Sequence, residues 1–490
     1  MSNRAQTVAA ARDGKAQSAH ELTAPHLGLY QRVGSQPAHR LDVRLKLLGD
    51  VRQCVADSIR HGAEGRQDSL CGVGLLGHVH TISGQLGARQ WRQGTEAPAG
   101  RRYGHLMVFA DPRLPDAAAW TIDPGLAYLN HGGFGATPVV VLQAQREWRT
   151  AMERNPVGFL ARELPELLEL VRSRVAAFLG ADPAGVVFVD NATTGTQTVI
   201  SQIRLAAGDE VLTTDHCYPA VLAQLHRAVA AAGADLRIAP VPLPAESSAS
   251  VAAAVLSWLS ARTRLVVIDH VASGSGLVFP VEQIVAQCHG RGVPVLVDGA
   301  HAPGMLPVEL GSLGADFWVG NMHKWVCAPK ASAVLHVAPQ WRGELRPLVA
   351  SHGLGLGYQP AFDWTGTRDP SAILAVPAAL DFFDRAGWPD VRQHNNDLAR
   401  RGADLVAKRV GTSYPDVDGL TAAMRLVPLR APLTEAEARA LEARLMDEHG
   451  VVVPVTSHGG WRWLRLSAQL YNRLEDYERL ADALVIAGQP

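Results

Sequence analysis

RLVVIDH (264–270) and VPVLVDG (293–299) are short, almost wholly apolar runs, and each meets an aspartate at or near its end. They are too short for ordinary helices, rich in β-branched residues and bounded by polar or glycine-containing stretches, so they read as strands buried on both faces. Three similar runs stand upstream: GVVFVD (185–190), EVLTTD (210–215) and LRIAPV (236–241). Helix-like, alanine-rich segments separate one run from the next. That alternation predicts an α/β fold with a mostly parallel sheet covered by helices on both faces. Ligands of such sheets sit beyond the carboxyl ends of the strands. The polar residues found there are Asp190 to Gly195, Asp215 to Tyr218, Asp269-His270 and Asp298 to His301.

Outward from this centre, VVLQAQREWRTAMER (140–154) and ELPELLELVRSRVAAFLG (163–180) carry apolar residues near a 3.6-residue period and predict helices. The strand-like NATTGT stretch is expected to lead into a helix through TVISQIRL (198–205). Around 380–400 the pattern changes to a smaller unit, with a helix through LTEAEARALEARLMDEHG (433–450) and a strand at GWRWLRLS (460–467). The expected division is a leader over 1–106, a large domain with its N-terminal segment over 107–380, and a small C-terminal domain over 381–490.

The leader differs from the rest. Residues 1–106 carry 14 Lys/Arg against 8 Asp/Glu, while the whole 490-residue chain balances 46 against 47. A single amphipathic helix is expected over 41–59, and there is no methionine between Met1 and Met107. The leader is therefore expected to be a disordered tail, or to precede a true start near Met107. It has neither a secretory signal's layout nor a transit peptide's lack of acids. Near-neutral charge overall gives no reason to expect nucleic acid as a partner, and no apolar run is long enough to span a membrane. The five cysteines (54, 71, 217, 288 and 327) lack CxxC spacing, which argues against a metal site or disulfide framework and fits a cytoplasmic protein.

Three features carry chemistry. NATTGT (191–196) places small hydroxyl residues where a helix N-terminus follows a strand, which suits either a phosphate or an ordinary threonine cap. Asp298 ends a buried strand, where a carboxylate needs a cation; a protonated pyridine nitrogen would supply one, and His301 would reach a phenolic oxygen. Helix capping by Asp298 and a core role for His301 are the alternatives. In FWVGNMHKWVCAPK (317–330), Lys324 stands between His323 and the apolar Trp325-Val326. Such surroundings lower an amine's pKa toward the nucleophilic form that a Schiff base requires. A surface lysine is the usual alternative, but the order of phosphate site, strand-end aspartate and lysine disfavours it.

With YLNHGGFGATP (128–138), FLARELPELL (159–168), TDHCYPAV (214–221), DGAHAPGM (298–305), WTGTRDP (364–370) and RLSAQLYN (465–472), these motifs resemble the fold-type I pyridoxal-phosphate enzymes of the class V aminotransferase group, and within it the isopenicillin N epimerases. The resemblance covers essentially all of 107–490. It implies a seven-stranded, mostly parallel sheet with a smaller C-terminal α/β domain, pyridoxal 5'-phosphate as cofactor, an amino-acid-type substrate and a homodimer with its active site at the interface. It implies that Lys324 forms the Schiff base and moves the α-proton, that Asp298 pairs with the pyridinium, and that His301 contacts the ring hydroxyl. Tyr218 would stack on the ring. Thr193, Thr194 and His323 would hold the phosphate, with Thr367 reaching it from a second subunit. Arg465 would bind the substrate carboxylate, and Asn130 and His131 would line the substrate side. The metal expectation is none.

One carbanion allows epimerisation, transamination or C–S cleavage. Persulfide chemistry needs an exposed, reactive cysteine, and the loop SHGLGLGYQPAFD (351–363) has none. Epimerisation is the leading expectation. A C–S lyase of the hercynylcysteine sulfoxide lyase type or a class V aminotransferase comes next. A transcription regulator with a cofactor-binding domain is remote, because 1–106 shows no helix-turn-helix.

Overall fold

The structure, a computed structural model, describes residues 114–488 except 415, 418 and 431. The leader and its expected helix lie outside the described residues. The strands up to the middle of the chain are β1 (Ala127–Tyr128), β2 (Val186–Val189), β3 (Glu210–Thr214), β4 (Asp235–Ala239), β5 (Thr263–Asp269), β6 (Val295–Asp298), β7 (Phe317–Asn321) and β8 (Ala333–Val337). Seven of them form one sheet in the order β2-β8-β7-β6-β5-β3-β4. The pairs β7/β6, β6/β5, β5/β3 and β3/β4 are parallel, and β8 runs antiparallel to both its neighbours. Every strand except β8 therefore points the same way, and their carboxyl ends share one edge. From β3 the chain steps out to β4 and returns across β3 to β5, the kind of reversal that opens a crevice.

The apolar runs become strands because both their faces are covered. In β5, Val266 and Ile268 enter one buried cluster with Val281 and Ile284, while Leu265 and Val267 enter another with Val199, Val221 and Leu225. Residues of β6 divide in the same way, Val295 and Val297 against Leu296. Alternation puts successive side chains on opposite faces, and each aliphatic side chain so buried contributes about 1.5–3 kcal/mol.

The helix at NATTGT starts earlier than its sequence suggests. It spans Ala192–Ile200, with Thr193 and Thr194 in its first turn and 201–205 beyond its end. The cause is the Asn191 side chain, whose Oδ1 accepts from the Thr194 N–H at 2.9 Å. Gly195 then allows close packing on the sheet: a Cβ there would lie 2.7 Å from Val319 Cγ1.

The C-terminal unit contains helices Trp388–Val410, Glu435–His449 and Leu474–Ile486, with β9 (Met424–Pro428), β10 (Val451–Val452), β11 (Val455–His458) and β12 (Trp461–Ser467). Strands β11-β12-β9 form an antiparallel sheet. Thr434 opens Glu435–His449 with a reciprocal capping box to Glu437. The N-terminal segment belongs here too, since β1 pairs in parallel with β10 and Ala127 and Leu129 pack among Val427, Leu464 and Tyr477. Among the described residues no helix is long and apolar enough to cross a membrane.

Candidate active site

At the shared carboxyl edge of the sheet lies a cavity of about 140 Å³. Four strand ends deliver its polar wall. Thr193 follows β2, Asp269 ends β5, Asp298 ends β6, and Asn321 ends β7. Asn321 Oδ1 accepts from the Ala192 N–H at 2.8 Å, which ties the helix N-terminus to the sheet. Asp298 Oδ1 accepts from the Ala300 N–H at 3.0 Å. Burial pushes the Asp298 carboxyl above its usual range, against the pull of the Lys324 amine. Asp269 is Asp298's register partner on β5 and is raised further, by burial and by the Asp298 charge.

The lysine loop follows β7. Lys324 Nζ lies 3.0 Å from His301 Nε2, and the Trp325 indole N–H donates to His301 Nδ1 at 3.3 Å. Burial lowers the Lys324 amine to about 8, with Arg465 adding to the effect and Asp298 and Asp269 opposing it. His301 is depressed well below its ordinary value, first by burial and then by Lys324. His323 donates from Nδ1 to the Ser332 carbonyl at 3.2 Å, and burial brings it to about 4. The loop is strained, with Cys327 at φ 59° and Ala331 at φ 67°.

Residues 131–137 brace that loop at three points. The His131 ring sits 3.1 Å from the Lys324 carbonyl through Nε2, Thr137 donates to the Ala328 carbonyl at 3.2 Å, and Lys330 Nζ donates to the Gly135 carbonyl at 2.8 Å. Gly135 has φ 71°, and a Cβ there would come 2.2 Å from the His323 carbonyl oxygen.

Arg465 projects from β12. Its guanidinium donates to the Ser273 carbonyl at 2.5 Å and to Asn130 Oδ1 at 2.7 Å. Its Nε is buried without a partner, and no carboxylate pairs with it among the described residues. Burial lowers Arg465 to about 10, so it stays cationic at neutral pH. Ser273 and Tyr218 line the cavity beside it, as does Phe134, and the last two stand 40% and 71% exposed.

The residues singled out from sequence do not all meet here. Lys324, Asp298, His301, His323, Thr193 and Tyr218 do. Asn130 lies behind, holding Arg465. His131 is turned away from the cavity, its Nδ1 2.8 Å from the Tyr471 hydroxyl, because the lysine loop and the C-terminal unit close over it. The Thr194 hydroxyl is turned back to Asn191 Oδ1 at 3.2 Å, because the helix already starts at Ala192. Thr367 is exposed and outside this chain's cavity lining. The sequence places Asp269 at a strand end like that of Asp298 but assigns it no role, and the structure brings it into the cavity. Ser273 and Phe134 carried no signal.

The class V aminotransferase family model matches residues 127–480. The isopenicillin N epimerase of Amycolatopsis lactamdurans is 33% identical over 398 residues, covering 75% of this chain and 98% of that protein. The chain belongs to the class V aminotransferase family. Another relative, the L-cysteine desulfhydrase of Arabidopsis thaliana, is 30% identical over 396 residues, covering 74% of this chain and 87% of its own. In fold, the chain is similar to a cystine C–S lyase solved with its product cysteine persulfide, at a TM-score of 0.63 and 24% identity, covering 73% of this chain and 97% of that one.

Pyridoxal 5'-phosphate is the cofactor of this class V chain, and its site residues fit that group. A buried carboxylate without a fixed cation awaits a pyridinium at Asp298. A helix N-terminus at Ala192–Ile200 faces the cavity through Thr193 and suits a phosphate. A lysine of depressed pKa stands among them. Cys217, Cys288 and Cys327 are buried, and burial raises all three thiols, Cys288 to about 11 and the other two further. None of the described cysteines suits persulfide transfer.

Proposed function

We propose that this class V enzyme removes and handles the α-proton of an amino-acid-containing substrate at Lys324, with isopenicillin N epimerase-like inversion as the leading reaction. The observation that supports it is a depressed-pKa lysine and a strand-end aspartate lining one cavity, with a carboxylate-ready arginine bonded to Ser273 of its wall. Bound pyridoxal phosphate supplies an electron sink for the carbanion left at the α-carbon. Asp298 would pair with the ring nitrogen and keep it protonated. Thr193 and the N–H groups of its helix hold the phosphate, and Tyr218 stacks on the ring. Neutral His323 spends its Nδ1–H on the Ser332 carbonyl, so it would donate to a phosphate from Nε2 only after taking a proton, which a phosphate dianion favours. Thr194 supports the same helix start, and Thr367 of a second copy completes the phosphate site.

Arg465 holds the substrate α-carboxylate with the donors that Ser273 and Asn130 leave free, and it orients the α-hydrogen toward Lys324. The Lys324 amine takes that proton, and returning it to the same face would restore the starting configuration. Inversion also needs a donor on the opposite face. The isopenicillin N epimerase relative supports inversion, as the L-cysteine desulfhydrase relative supports elimination. C–S elimination is the second reading, because Lys324 is the one lysine lining the cavity and elimination needs only one such base.

Homodimer assembly in the cytoplasm is part of the same reading. Exposed Phe134, Leu348, Val349, Leu354 and Leu356 offer apolar contact area, and the three described cysteines are free thiols. Incubation with amino acids and thioether derivatives in D₂O decides the chemistry. Deuterated, stereo-inverted substrate of otherwise intact mass supports inversion. Pyruvate, ammonia and a released thiol replace it with elimination, and an unlabelled, unchanged substrate panel overturns α-proton chemistry.

A further inference from the structure

Resting on the reading of Lys324 as the cofactor lysine, we propose that Trp325 is a positioning residue whose indole N–H fixes the His301 tautomer and thereby favours the free-amine form of the unloaded Lys324.

The argument is one of donors and acceptors. An indole N–H can only donate, so His301 Nδ1, 3.3 Å from Trp325 Nε1, must accept. A neutral imidazole with a bare Nδ1 carries its proton on Nε2. That N–H points at Lys324 Nζ, 3.0 Å away, and needs a lone pair there. An ammonium has no lone pair, whereas an amine has one. The bond at Trp325 therefore selects the nucleophilic form of the residue preceding it. The imidazole stays neutral because burial opposes its charged form, and the Lys324 charge opposes it whenever that residue is an ammonium.

Trp325 is itself held in place. It is buried in a cluster with Val271, Met305 and Met424, and the His131 ring packs on it at 4.8 Å. His131 in turn braces the Lys324 carbonyl, so indole and lysine backbone are fixed by one neighbour. The other charged or titratable groups around Lys324 are Asp269 on β5, Asp298 on β6, Arg465 on β12, and His323 and Lys330 on its own loop. A change at Trp325 leaves all of them in place. The same tautomer leaves Nε2–H as a donor once Nζ is bound, which suits the phenolic oxygen of the cofactor.

The test reads cofactor loading rather than turnover. In cofactor-stripped full-length protein, the amine condenses with the aldehyde of added pyridoxal phosphate, losing water, and a visible band appears. In the wild type the loading rate should be half-maximal near pH 8. Trp325→Phe keeps an aromatic ring and removes the donor. His301 can then carry its proton on Nδ1 and accept from the ammonium, which stabilises the unreactive form. Loading at neutral pH should slow about tenfold, the equivalent of one pKa unit, and meet the wild type at alkaline pH. An unshifted profile overturns the proposal, and so does equal slowing at every pH. Ring-¹⁵N histidine spectra of stripped wild-type protein, assigned by difference from His301→Gln, give a second reading independent of the variant's folding. A bare Nδ1 and protonated Nε2 support the proposal, and a proton on Nδ1 overturns it. Lys324→Ala tests the underlying assignment separately: if it still gains the band on loading, Lys324 is not the cofactor lysine, whatever Trp325 does.

Discussion

The cofactor side and the substrate side of the cavity are built by different means. Thr193, Asp269, Asp298 and Asn321 stand at or just beyond the ends of strands of one sheet, and their backbones are fixed by ladder hydrogen bonds and two-faced burial. Arg465, Asn130 and Ser273 come from β12, the residue after Leu129 and a loop after β5, and they are joined by side-chain contacts across 192 and 335 positions of sequence. The first arrangement stays rigid without a ligand. The second keeps a buried guanidinium with a spare donor, and so awaits an anion. The lysine loop lies between them, strained at Cys327 and Ala331 and braced from outside by residues 131–137. The strand-end groups are thus tied to the sheet, while the placing of Arg465, which we propose binds the substrate carboxylate, depends on how β12 packs against the loop after β5.

Substitution on each side should separate the two. Lys324→Ala has the largest expected effect, complete loss of the visible band on mixing with pyridoxal phosphate. Arg465→Ala should load the cofactor normally and raise the KM for carboxylate substrates roughly 10- to 100-fold, the value of one or two charged hydrogen bonds. Steady-state kinetics check it, and an unchanged KM would move the carboxylate site elsewhere. Gly135→Ala attacks the brace. The substitution is strained at φ 71° and drives a Cβ into the His323 carbonyl, so it should destabilise the protein by about 1–3 kcal/mol and weaken cofactor binding. Gly208→Ala is the control, since φ there is 84° but nothing lies within 4 Å of the added Cβ. Thermal melts and cofactor titration compare the pair, and equal losses would deny Gly135 its contact role.

The contrast also explains what the sequence made legible. Five runs announced five strands; four are buried on both faces and so leave a continuous hydrophobic signature, while β4, at the sheet edge, is only half-buried. Their ends delivered Asp298 directly, but the helix after β2 begins at Ala192, ahead of the 198–205 stretch in which the sequence places it. His131 was out of reach, since its partners Tyr471 and Lys324 are set by the closure of two units and not by any local pattern. The pairing of β1 with β10 was equally hidden, because a two-residue strand has no periodicity to read. Arg465 was found only through the resemblance, and its Asn130 and Ser273 partners only through the fold. Asp269 is legible as a strand-end residue but not as part of the site, because its place beside Asp298 follows only from the pairing of β5 with β6.

Asp269 gives the smallest expected effect and the sharpest sign. Its folded pKa is raised above the unfolded value by burial and by Asp298, so between those values the folded state holds more protons than the unfolded state. Stability contributed by the protonated form is therefore present at acid pH and lost as pH rises through the window above the ordinary carboxylate range. Asp269→Asn replaces the acid with a neutral group of similar shape and removes that loss. In the cofactor-stripped protein its Tm should match the wild type at acid pH and modestly exceed it at neutral pH. Asp298→Asn should show a similar trend in stripped protein but weaken cofactor binding, because only Asp298 is asked to face the pyridinium. If Asp269→Asn lowers Tm equally at both pH values, the side chain serves packing or hydrogen bonding and its ionisation is irrelevant. If it weakens cofactor binding as strongly as Asp298→Asn, the two strand-end carboxylates share the ring nitrogen's counter-charge, and the cofactor side is less divided in labour than its geometry suggests.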